Sequence, residues 1–129
     1  MAQVKIYGER AHLTRVRAAL SDAIQGCLVD ALGLPPDKRF QRFIGLDGAD
    51  LIHPPDRSAA YTIIEISMFA GRSAATRRKL LELLMARLPE RAGIAAQDLE
   101  ITLCETPPAN WGIRGQTGDR LTLPYRIEL

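Results

Sequence analysis

The sequence predicts an α/β (α+β) fold: a duplicated β-α-β unit with a four-stranded sheet, two helices on one face, and extra C-terminal strands or a hairpin. Three observations carry this. Four short runs alternate apolar and polar residues at the period of a strand. Two longer runs place apolar residues at threes and fours, the period of a helix. The order strand, helix, strand recurs after about 60 residues, with a glycine closing each helix at the matching place.

The first run, residues 2–7, puts Val4 and Ile6 on one side and Lys5 and Tyr7 on the other. From His12 the period changes, and Leu13, Val16, Leu20, Ala23, Ile24, Cys27, Leu28 and Ala31 form one apolar helical face. Gly33 supplies a left-handed stop, and Pro35 and Pro36 follow where a helix cannot continue. Residues 39–44 complete the first unit, 2–44. Residues 45–60 hold clustered turn signals and form a long loop.

The second unit, 61–104, opens with a β-branched strand from Tyr61 to Phe69. Ser73 is a helix cap, and Leu80, Leu83, Leu84 and Leu88 line the helix behind it. Pro89 predicts a kink or break near Leu88, because a mid-helix proline costs about 3 kcal/mol. Gly93 ends the helix, and residues 98–104 alternate again. The tail, 105–129, carries Gly112, Gly115 and Gly118, then strand-like runs at Leu121–Leu123 and Tyr125–Leu129, candidates for a subunit-bridging strand. A single domain over 1–129 is expected.

Two right-handed crossovers place both helices on one face of a shared sheet. In the third strand Ile64, Ile66 and Met68 point one way, while Tyr61, Ile63 and Phe69 point the other with Glu65 and Ser67. Both faces carry apolar groups, so an oligomer packing sheet against sheet is expected.

A net charge of +2 and 5% aromatic residues argue against nucleic acid or an anionic membrane as partner. Cys27 and Cys104 have no metal spacing and read as reduced thiols in a cytoplasmic protein. The N-terminus lacks a signal-peptide pattern, and no apolar run has the roughly 20 residues of a spanning helix. His12 reads as helix surface, His53 as loop, and Arg77, Arg78 and Lys79 as a solvated helix face. No metal site, cofactor motif or catalytic triad is assembled.

A duplicated β-α-β beginning at the N-terminus resembles the tautomerase superfamily, in particular its longer single-chain members around malonate semialdehyde decarboxylase. The resemblance spans nearly the whole chain. It rests on Val4 to Ile6, Asp37 to Gln41, Asp50 to Ile52, Ala70 to Ser73, and Glu105 followed by Asn110, Trp111 and Gly112.

The resemblance implies a trimer with a small keto or enol carboxylic acid as ligand and no cofactor. Family members expose an N-terminal proline whose depressed pKa suits proton transfer, and an arginine opening the second helix holds the substrate carboxylate. Here position 2 is Ala2, a catalytic amine only if Met1 is removed. The aspartate that decarboxylating and hydrating members carry before Arg-Phe-Gln is Lys38, with Asp37 one residue earlier. An aromatic after the tryptophan is Ile113, and a further arginine is Ala70. Arg72 and Trp111 are kept. The expected substrate-binding set is Arg72, Trp111, Lys38, Arg39 and Arg114, with no metal. The expected function is action on, or binding of, a small keto or enol acid, with proton transfer weakened or altered. The alternative is a non-catalytic trimer that binds small carboxylates, and a third reading is a trimer that binds a protein partner through the long loop and tail.

Overall fold

The computed structural model describes residues 1–127. A mixed sheet has the order β2-β1-β3-β4. Its strands are β1 (Ala2–Glu9), β2 (Gln41–Leu46), β3 (Thr62–Phe69) and β4 (Leu99–Thr106). β1 pairs parallel with β2 and β3 parallel with β4, while β1 and β3 run antiparallel. The two copies of the unit therefore meet along the centre of the sheet. Helices α1 (Arg10–Leu32) and α2 (Ala74–Ala92) pack on each other across one face. A small antiparallel hairpin, β5 (Gly112–Ile113) and β6 (Gln116–Thr117), follows.

The core sits between that face and the helices. Val4, Ile6, Ile64, Ile66 and Met68 rise from the sheet against Leu20, Ile24 and Leu28 of α1 and Leu80, Leu84 and Leu88 of α2. Alternation is strict in β1 and holds in β3 up to Met68, as a sheet with one helix-covered face requires; Phe69 at the end of β3 is buried as well. Gly33 (φ 69°) and Gly93 (φ 70°) close the helices in the left-handed conformation, donating to Val29 and Pro89 carbonyls. Ser73 caps α2, its hydroxyl accepting from the Thr76 N–H at 3.1 Å.

Five expectations are corrected. Helix α2 neither breaks nor stops at Leu88; Pro89 lies inside its last turn and the helix runs on to Ala92. So close to the end the proline removes one internal hydrogen bond, to the carbonyl of Met85, whose side is exposed to water. Helix α1 starts at Arg10, directly after β1, and not at His12. That start turns His12 inward: it is buried, with Nε2 3.0 Å from the Thr62 hydroxyl, which itself donates to the Ala60 carbonyl. Arg77 is half-buried rather than solvated, bonding the Arg72 carbonyl at 2.5 Å and Glu105 at 3.3 Å. Within this chain the strand-like tail forms no strand over residues 121–127, and the extra pairing beyond β4 is the hairpin at 112–117; residues 128–129 of that run lie outside the described residues.

On the helix-free face the register lines up Ile44, Tyr7 and Ile63 as an apolar row beside a charged row of Arg42, Lys5 and Glu65. Phe69 needs no second subunit. It is fully buried in this chain, its ring edge-on to Trp111 at 5.1 Å. Gly118 completes the seal: a Cβ there would come within 2.5 Å of the Pro108 carbonyl oxygen and 2.9 Å of Phe69. No helix among the described residues is long and apolar enough to cross a membrane.

Candidate functional site

The turn from β3 into α2 builds the most unusual feature of the chain. Gly71 takes φ 133°, a conformation that side chains rarely adopt, and its bend sends Arg72 back under the sheet end. Arg72 is 3% exposed. One guanidinium nitrogen donates to the Phe69 carbonyl at 3.1 Å, and Nε and Nη2 have no partner among the described residues. Arg77 holds the Arg72 carbonyl and pairs with Glu105, which fixes the backbone of the turn. Burial lowers the Arg72 pKa from its ordinary value, opposed by Tyr125 and Glu105. A buried arginine with two idle donors is costly, since each unsatisfied group forfeits about 1–3 kcal/mol. An anion placed there would satisfy both donors in the bidentate manner that a carboxylate fits.

The neighbour of Arg72 is the N-terminal amine. Met1 donates from its amine to the Tyr125 phenol oxygen, joining the two ends of the chain. The Met1 carbonyl accepts from the Phe69 N–H at 3.3 Å, which holds the terminus in the sheet. Burial first, and the Arg72 charge second, lower the amine pKa from 8.0 to about 5. The amine is therefore neutral at pH 7 and able to accept a proton. The Tyr125 phenol shifts upward through burial, partly offset by Arg72.

A cavity of about 150 Å³ opens beside the amine. Met1 and Ala2 line it from the start of β1, Leu34, Lys38 and Phe40 from the α1–β2 turn, Arg114 from the hairpin turn, and Thr122 to Tyr125 from the tail. The hairpin turn explains the placement of Arg114: it and Gly115 both take positive φ, at 48° and 82°, as a two-residue turn demands. A volume near 150 Å³ holds roughly five waters at about 30 Å³ each, the size of a small organic acid.

Of the residues singled out in the sequence, the structure brings Ala2, Lys38 and Arg114 to the lining of this cavity; Arg72 is not part of that lining, and its charge reaches the cavity through the Met1 amine. It does not bring Arg39 there: Arg39 turns to Asp22 at 2.6 Å and to Ser21 at 3.1 Å, on the surface beside α1. Trp111 lies behind, packed on Phe69, with its indole N–H donating to the Thr106 carbonyl at 3.2 Å. Tyr125 was missed by the sequence reading. The alternation of the tail marked it as a strand residue, and nothing local ties it to a terminus 124 positions away.

Comparison with known proteins agrees with this architecture. A family model described as a tautomerase enzyme matches residues 38–114. The structure of a malonate semialdehyde decarboxylase, determined in wild-type, mutant and inactivated forms, superposes with a TM-score of 0.79 at 25% identity, covering 92% of this chain and 99% of that one. A malonate semialdehyde decarboxylase inhibited by 3-bromopropiolate gives 0.76 at 26% identity over 95% and 99%. A fused 4-OT described as a symmetric trimer shares the fold, with a TM-score of 0.78 at 19% identity over 91% and 96%.

Proposed function

The chain belongs to the tautomerase enzyme family, and on that premise we propose that it binds a small keto or enol carboxylic acid and moves a proton on it. One observation carries the reading: a buried Arg72 with two unpartnered donors stands beside an N-terminal amine depressed to about 5. The carboxylate of the acid pairs with Arg72. The neutral amine takes the proton α to the carbonyl, the C–H electron pair moves to form the enolate, and the ammonium returns the proton to oxygen. The reverse sequence converts enol to keto. Lys38 and Arg114 add positive charge at the mouth and attract the anion. If Met1 is removed, the Ala2 amine takes this role and the space of Met1 joins the cavity. The working form is a homotrimer, in which the row of Ile44, Tyr7 and Ile63 on the helix-free face is covered by neighbouring subunits; the malonate semialdehyde decarboxylases and the trimeric fused 4-OT support that choice of ligand class and assembly. We place the protein in the cytoplasm, as one domain over 1–129.

A second reading has a specific observation behind it. Met1 itself lines the cavity, and residue 2 is alanine rather than a proline. In that reading the trimer binds a small carboxylate without turning it over.

Tautomerisation of phenylenolpyruvate and 2-hydroxymuconate, measured with the intact mass of the same sample, tests the enzyme. Turnover above buffer that is lost in Arg72→Ala supports it. Turnover equal to buffer, with Met1 retained, refutes it, and saturable carboxylate binding dependent on Arg72 then supports the second reading.

A further inference from the structure

We infer that Tyr125 is a positioning residue for the N-terminal amine, its phenol oxygen holding the charged form of that amine at the cavity. This rests on the reading of the amine as the proton-transfer base. The geometry is direct: the amine donates to the Tyr125 oxygen, and residues 122–125 form the wall facing it. The placement is stiff. Tyr125 packs against the hydrophobic core, Pro124 fixes the backbone angle before it, and Ile127 lies near Gly71, so the tail is anchored on both sides of the ring.

The chemistry follows from the neighbours. Burial and Arg72 both push the amine toward its neutral form. Pushed without opposition, it would become too weak a base, because proton transfer is most efficient when the pKa stays near the working pH. A phenol oxygen is an acceptor that strengthens its hydrogen bond when the amine becomes ammonium, and charge-assisted bonds are about twice as strong as neutral ones. Tyr125 thus favours the state reached just after the substrate proton has moved. The same bond fixes the direction of the nitrogen, which a flexible chain terminus would otherwise leave undefined.

The test is the titration of the amine, read by trace labelling with an amine-reactive reagent and mass spectrometry across the acid and neutral range. Tyr125→Phe keeps the ring and removes the acceptor, so the labelling midpoint is expected to fall by about one pH unit. An unchanged or raised midpoint overturns the inference. If Tyr125→Phe does not fold, ring-fluorinated tyrosine, a poorer acceptor of nearly the same shape, is expected to shift the midpoint the same way, and no shift overturns the inference. In a turnover assay the variant is expected to lose about tenfold in kcat with KM nearly unchanged. A lowered midpoint in a protein with no turnover sustains the Tyr125 assignment while refuting the enzyme reading, so the two fail separately.

Discussion

Replacing Arg72 by methionine exchanges function for stability. In the unliganded chain the guanidinium is 3% exposed and leaves Nε and Nη2 without partners. Two idle buried donors cost about 1–3 kcal/mol each. Against them stands one charge-assisted bond to the Phe69 carbonyl at 3.1 Å, whose loss costs about 1.5–3 kcal/mol. Methionine fills a similar volume and asks for no partner, and buried charges replaced in this way are often neutral or stabilising by about 1–4 kcal/mol. The expected net gain is about 1–2 kcal/mol, or a rise in Tm of about 5 °C for a chain of this size. Urea unfolding at pH 7 measures it, with and without a small keto acid. The wild type gains stability from the acid and Arg72→Met does not. If Arg72→Met is less stable by several kcal/mol, or responds to the acid as the wild type does, then the idle donors are not a carboxylate slot.

Three further outcomes follow from the geometry. The N-terminal amine falls from 8.0 to about 5 on folding; the unfolded chain therefore binds more protons between these values, and stability is full above pH 8 and declines as the pH drops toward 5. The full shift corresponds to about 4 kcal/mol, and solvent screening of the partly exposed amine reduces it to about 2 kcal/mol; urea midpoints at the two ends of the range measure it, and a flat profile contradicts the depressed amine. Gly118→Ala forces a Cβ to 2.5 Å from the Pro108 carbonyl, and is expected to lower stability by about 1–3 kcal/mol and to change Trp111 fluorescence, whereas an unperturbed spectrum would mean the tail does not seal Phe69. Leu84→Ala opens a void in the helix layer at a fully buried position and is expected to cost about 2–5 kcal/mol in the same urea assay.

The fold was largely legible because its signals are local. Alternation marked four strands, three-four spacing marked two helices, and Gly33 and Gly93 closed them where the left-handed conformation was needed. Pro89 misled because propensity does not know how near a helix end is, or that the carbonyl it strips faces water. His12 misled for a similar reason: whether a first-turn residue faces solvent depends on the angle at which α1 leaves β1. A close approach sets that angle, since a Cβ on Gly8 would lie 3.0 Å from Leu13.

The site divides the same way. The sequence by itself determined the duplicated unit, and its family resemblance directed attention to Arg72 and the terminus. Only the tertiary structure decided that Arg72 is buried with idle donors, that Arg39 turns away to Asp22, and that Tyr125 meets the amine of Met1. The reason is physical. Secondary structure follows from periodicities within a few turns of chain, but a depressed amine needs burial and a second charge at the same point in space. Here the amine of residue 1 meets the charge of residue 72 and the phenol of residue 125, which no local pattern connects.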